Sequence, residues 1–171
     1  MALDNALWRY ALALYSRPGV EHSCLQLQHQ GAAINRLLLA CWLGQRGVEL
    51  DADRWQQLDP QWRREITEPL REIRYRVRAL KAQQPEVEAC YRALRQAELA
   101  AEQVELMLLQ QTALTWPTQP PIAGRALILD NLISYRRMSG QSLDEGCLRQ
   151  LAQAAADLSM EDAELSSGQG Y

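Results

Sequence analysis

Phenylalanine is absent from this 171-residue chain, whose aromatic side chains are five tryptophans, six tyrosines and two histidines. Tryptophan and tyrosine carry an N–H or O–H that needs a partner when buried, so a core built from them must supply polar contacts as well as volume. The histidines give no metal site. His22 and Cys24 stand two apart on a helix and point away from each other, and nothing on that helix completes a site with His22 and His29. The four cysteines, Cys24, Cys41, Cys90 and Cys147, include no CxxC pair and lie in apolar helical patterns. That argues against a disulfide framework or zinc cluster and marks them as reduced core residues of a cytosolic protein. No glycine-rich loop can cradle a phosphate, and no Ser, Cys or Thr sits on a glycine elbow. No repeat occurs, nor any alternating apolar run long enough for a strand. The N-terminus is not read as a signal peptide, because Asp4 stands where a basic region belongs and Arg9 interrupts the apolar run. No segment reaches the roughly 20 apolar residues of a membrane span. No catalytic residue, metal ligand or cofactor is therefore assigned.

What is present is helix. From Ile34 to Leu43 only Asn35 and Arg36 are polar, so this segment offers apolar groups in every direction, as a helix covered on all sides does. Gly47 comes next as a left-handed C-cap. Before it, Leu3, Leu7, Tyr10 and Leu14 form one stripe of a helix over about 4–17, with Trp8, Leu12 and Tyr15 beside it and a wet strip near Asn5, Arg9 and Ser16. Pro18 and Gly19 end that helix, and a second runs over 20–28. Asp51 caps a short turn, and Asp59 with Pro60 opens a helix to about Gln83. Its apolar positions Ile66, Leu70, Ile73, Val77 and Leu80 form a heptad seam, and Pro69 bends the helix or divides it. A third long helix, 86–112, repeats the heptad through Val87, Leu94, Ala101 and Leu108. The short link makes the two antiparallel neighbours. Residues 115–124 form a proline-rich surface loop. A further helix covers 126–138 with Leu129, Leu132, Ile133 and Met138 inward, and Ser142 to Glu145 provide a capping box for a last helix to about Ala156.

The expected fold class is all-α, a helical bundle with a long antiparallel helical hairpin. Residues 1–156 form a single domain, made of N-terminal core helices (1–58), the hairpin (60–113) and C-terminal helices (124–156), with an acidic disordered tail at 157–171.

Charge is uneven. Residues 61–95 hold nine Arg/Lys against five Asp/Glu, and residues 96–171 hold four against ten. Arg64, Arg71, Arg74, Arg78 and Lys81 fall on one flank of the first hairpin helix. They read either as a solvated flank with local pairs, Glu68 with Arg71 and Glu72 with Arg76, or as a contact surface. Its ligand is then an acidic protein partner, RNA phosphate or the chain's own acidic tail. Nucleic acid is disfavoured by the acidic pI and by the few aromatics beside the arginines. Glu98, Glu102 and Glu105 read as a solvated acidic face. Trp8, Tyr10, Tyr15, Asn35 and Trp42 are core aromatics with Asn35 satisfying one polar tip, or else the lining of a small pocket gated by Asn35 and Arg36.

The blocks Trp8, Tyr10, Leu12, Leu14, Tyr15, Pro18, Gly19, Val20; then Cys24, Leu25, Leu27, Gln28; then Asn35, Leu38, Leu39, Trp42, Leu43, Gly47; and the triplet Pro69, Leu70, Arg71 resemble a family of small, mostly gammaproteobacterial proteins known only as a domain of unknown function. The resemblance covers about the first hundred residues and implies a cytosolic, helical bacterial protein, without an activity or cofactor. It also implies an acidic residue just before Asn35, where this chain has Ala33 and Ile34. The expected function is that of a non-enzymatic cytoplasmic adaptor presenting the charged hairpin to a protein partner. A ligand-binding or catalytic bundle is the second reading and RNA or ribosome association the third. The hairpin seam closes within one chain or is shared in a dimer.

Overall fold

The computed structural model describes residues 2–117 and 124–158, which form eight α-helices and no strand. In order these are α1 (Ala6–Tyr15), α2 (Val20–His29), α3 (Ile34–Gln45), α4 (Ala52–Gln57), α5 (Glu68–Leu80), α6 (Glu88–Ala113), α7 (Gly124–Ser139) and α8 (Glu145–Ala156). The fold is all-α, and α5 and α6 pack together as the antiparallel hairpin.

The organising helix is α3, in which every residue from Arg36 to Gly44 is buried. Contacts from α7 cover it most extensively, with α6, α8, α1 and α2 supplying the rest. Its end is a Schellman turn: Gly47, at φ 72°, donates to Gly44 O, and Val48 N donates across it to Leu43 O at 2.9 Å. Close packing of α3 on α7 depends on Gly44, where an added Cβ would lie 2.7 Å from the Ile128 Cα.

A single amide ties α7 to the chain leaving α3. Buried Asn131 donates from Nδ2 to Ala40 O at 3.2 Å and Val48 O at 3.0 Å, and its Oδ1 accepts from Leu50 N at 2.8 Å. This differs from the expected inward face. Ile128, Asn131, Leu132 and Tyr135 are the buried positions, and Met138 is exposed, because the helix turns its amide toward the carbonyls of α3. On the opposite side, Gln110 of α6 accepts from Leu7 N at 2.6 Å, meeting one of the orphan donors in the first turn of α1.

Several local features differ from those expected. Asn5 is buried as the N-cap of α1, accepting from Trp8 N at 2.9 Å, and it is Leu12 that faces water. Helix α8 is capped by Asp144, which accepts from Cys147 N at 2.7 Å, and not by Ser142 two residues earlier. Cys90 is exposed on the hairpin, whereas Cys24, Cys41 and Cys147 are buried. Asp157 and Leu158 belong to the bundle: Arg17 donates to Asp157 O at 2.9 Å and Leu158 is in the core. The rest of the acidic tail and most of the proline-rich loop lie outside the described residues. Asp51 and Asp59 cap as read, accepting from Arg54 N at 2.9 Å and Gln61 N at 2.8 Å.

The helix opened by Asp59 is continuous through Pro69 but widens just before it. Over Arg63–Thr67 the chain makes a π-turn, in which Glu68 N donates to Arg63 O, five residues back. Proline has no N–H to offer and its ring collides with the carbonyl four residues earlier, and the widened turn accommodates both.

Two substitutions test this frame. Gly44→Ala gains roughly 1 kcal/mol of helix propensity, yet overpacking against the Ile128 backbone outweighs it, for a net loss of about 1–2 kcal/mol and a fall in Tm of several degrees in calorimetry. Asn131→Leu leaves Leu50 N and two carbonyls without their partner in the core and costs about 2–4 kcal/mol in chemical denaturation.

Candidate functional site

The hairpin meets the bundle through a polar junction. By helical periodicity Arg71 and Arg74 lie on the side of α5 that faces α6, and both reach Glu98. Arg71 donates from Nε to Glu98 Oε1 at 2.8 Å and from Nη2 to Glu102 Oε1 at 2.5 Å, and Arg74 pairs with Glu98 Oε2. With its amide oriented to satisfy both groups, Gln28 of α2 accepts from Arg71 Nη1 at 3.0 Å. One turn further along α6, Glu105 accepts from Asn35 Nδ2 at 3.1 Å, so the first turn of α3 is held to the same row.

The three carboxylates are therefore not a solvated face. Glu98 is 6% exposed and Glu105 5%, because the register of the hairpin places them under the arginines and against α3. Their protons respond accordingly. Burial alone would push the Glu98 carboxyl up, but the hydrogen bonds from Arg74 and Arg71 outweigh it and hold it below the usual carboxylate range. Burial raises Glu102, with Arg71 drawing it part of the way back. It also raises Glu105, against the pull of Asn35, Arg63 and Thr67.

The basic stripe is thereby divided. Arg71 and Arg74 are half-buried and engaged with α6. Lys81 is half-buried, pairs with Glu88 at 2.6 Å and lies over the Tyr91 ring. Arg64 and Arg78 face solvent on the same flank. Of the expected local pairs, Glu72 with Arg76 forms at 3.7 Å, whereas Glu68 turns back to Arg63 at 2.8 Å. Exposed Arg92 and Arg95 of α6 add two cations that spacing on α5 alone could not reveal.

The other side of the hairpin is apolar. Steps of seven place Ile66, Ile73 and Leu80 on one stripe, and steps of seven and four carry Cys90, Ala97, Val104 and Leu108 along α6. Ile66 and Leu108 line a common cavity of about 390 Å³, together with Leu58, Trp62 and Leu109 at the base of the hairpin. Along the outer hairpin, Ile73 is 43% exposed and Leu80 42%. From residue 68 to residue 97 no residue is buried.

The aromatic set is divided between core and surface. Tyr10 and Trp42 are in the core, with Arg46 stacked over the Trp42 ring, and Trp8 and Tyr15 are partly buried at the edge of the bundle. Asn35 does not serve either buried tip, because its amide is taken by α6 at Glu105 Oε2 and Glu102 O. The Tyr10 hydroxyl and the Trp42 N–H are buried without a hydrogen-bond partner among the described residues. A second cavity, of about 410 Å³, lies elsewhere, between the start of α3, the segment after α4, the π-turn and the end of α7. Among the described residues no group of three or more His, Cys, Asp or Glu can hold a metal ion, and no helix is long and apolar enough to cross a membrane.

Fold and surface together define an all-helical bundle from which a charged two-helix hairpin projects. The chain belongs to the DUF2390 family, described as a protein of unknown function, which it matches over residues 6–109. No curated protein and no solved structure matches it. The matched region takes in the whole polar junction, from Gln28 and Asn35 to Arg71 and Glu105, and stops before α7 and α8.

The junction has a defined pH response. Glu98, depressed on folding, stabilises the native state above its unfolded pKa, and that contribution is lost as pH falls through the folded value. Glu102 and Glu105, raised on folding, take up protons first, and their protonation relieves burial. Stability measured by urea unfolding is expected to hold or rise from pH 7 toward about pH 5 and to fall below about pH 4. Glu98→Gln, which leaves two guanidinium groups short of their counter-charge, costs about 2–3 kcal/mol at pH 7 and blunts the acid fall.

Proposed function

We propose that this chain is a non-enzymatic helical interaction protein, and that the outer hairpin receives an amphipathic, acid-flanked helix of a protein partner. The observation that supports the reading most directly is the absence of any buried residue between 68 and 97, although the heptad apolar positions run the length of both helices. A lone helix pair covers only one side of each seam, and a third helix lying over Ile73, Leu80 and Ala97 completes a three-helix layer. The charge balance supports an acidic flank on that helix: residues 61–95 carry nine Arg/Lys against five Asp/Glu, with Arg64, Arg78, Arg92 and Arg95 exposed. These cations stand on the flank away from the apolar stripe and act on an acidic partner at a distance, setting encounter rate and salt sensitivity, while the stripe carries the affinity.

The test uses two variants of the full chain, Ile73→Asp with Leu80→Asp, and Arg64→Glu with Arg78→Glu. All four sites are exposed, so each substitution shifts stability by about 0.5 kcal/mol or less. The wild-type chain is expected to recover a protein from its host that re-forms a complex from purified components. The apolar variant weakens that complex by at least about tenfold, and the charge variant removes most of its salt dependence. Equal affinity for wild type and both variants overturns the reading. So does a wild-type chain whose only partner at this face, by light scattering and cross-linking, is a second copy of itself.

A further inference from the structure

Among the described residues that line the second cavity are two arginines and no carboxylate. Arg36, in the first turn of α3, is 7% exposed, and its Nη2 donates to Leu58 O at 2.9 Å. Among the described residues no carboxylate oxygen comes within 4.0 Å of its guanidinium, although Glu105 and Asp59 act on it from further away. Arg63 reaches the same cavity from the first residue of the π-turn. One of its nitrogens pairs with Glu68 at 2.8 Å, while its Nε is buried without a hydrogen-bond partner among the described residues. The two cations oppose each other: burial first, and then Arg63, lowers the affinity of Arg36 for its proton. A buried cation in that position costs free energy until an anion joins it.

The rest of the cavity suits an organic molecule. Trp55 forms an apolar wall, fixed by its N–H to Ser134 Oγ at 3.0 Å and by edge-on contact with Tyr135, and Met138 stands at the rim. The Tyr135 hydroxyl accepts from Ala33 N at 2.8 Å, which leaves its own hydrogen to donate. Gln141, beside Ser139 at the carbonyl end of α7, also lines the cavity, and its buried Oε1 has no donor among the described residues. That end of a helix repels anions and attracts N–H groups, so the lining offers both cations and acceptors.

We infer that this cavity binds a small organic oxyanion, a carboxylate or phosphate held by the Arg36 and Arg63 guanidinium groups, with an N–H or O–H donor of the same molecule directed to Gln141. About 410 Å³ lies in the range of small-molecule sites. Paired guanidinium groups are the side chains best shaped for such oxyanions. This site is separate from the apolar face of the hairpin and does not depend on the hairpin's partner.

The test is thermal unfolding and calorimetric titration of the full chain with inorganic phosphate, with succinate and with glutamate, each against sodium chloride at matched ionic strength. At least one oxyanion is expected to raise Tm saturably. At ten times its Kd it raises the ratio of folded to unfolded chain about elevenfold, beyond what chloride does. Phosphate as the stronger ligand assigns the site to phosphate compounds, succinate or glutamate to carboxylates, and an advantage of glutamate over succinate reports the donor facing Gln141. Arg63→Gln, a change at a partly exposed position that leaves Arg36 in place, abolishes the effect, while Arg63→Lys keeps part of it. If no oxyanion exceeds chloride, or if Arg63→Gln responds as wild type does, the inference is wrong.

Discussion

A helix that is apolar on every side cannot exist in water until something covers every side, and α3 imposes that demand on the rest of the chain. Five other helices contact it, and their chemistry is graded around its circumference. Toward α7 the packing is closest, with backbone set nearly against backbone at Gly44 and the Asn131 amide locking the exit from the helix. Toward α6 the contact turns polar at the first turn, where Asn35 and Arg36 stand. That one polar turn is also the place where both the hairpin junction and the second cavity begin.

The two functional regions thus share a boundary at the π-turn. Arg63, the first residue of the π-turn, lines the second cavity with residues of α7, while Arg71, beyond Pro69, pairs with Glu98 and Glu102 of α6. Pro69 is the chemical cause of the widened turn that stands between the two arginines.

Much of this architecture was legible from the amino-acid sequence. The all-round apolar run of α3, the left-handed Gly47, the caps at Asp51 and Asp59 and the matched heptads of α5 and α6 are local signals, each produced by residues within a turn or two of one another. The polar junction was not. A row of Glu98, Glu102 and Glu105 on one helix face has the same spacing whether it meets water or arginines, and only the register of the hairpin decides which. Asn131 was hidden for a similar reason, since the three groups it bonds lie 81 to 91 residues away. The cavity beside Arg36 is assembled from four separate segments, and no spacing rule connects them. Exposed Cys90 shows the reverse case, a heptad position that is apolar in pattern but has no third layer above it.

The outer hairpin also has a life of its own in time. Because no residue between 68 and 97 is buried, its backbone hydrogen bonds can open without disturbing α3 or its cover, so hydrogen exchange there proceeds through a subglobal opening, well below the free energy of whole-chain unfolding. The bundle and the hairpin tip are then two foldons joined at the Arg71 and Glu98 pair. A ligand that lies along the hairpin adds its binding energy to the weaker of the two, so occupancy is written first in the exchange rates of α5 and only faintly in those of α3.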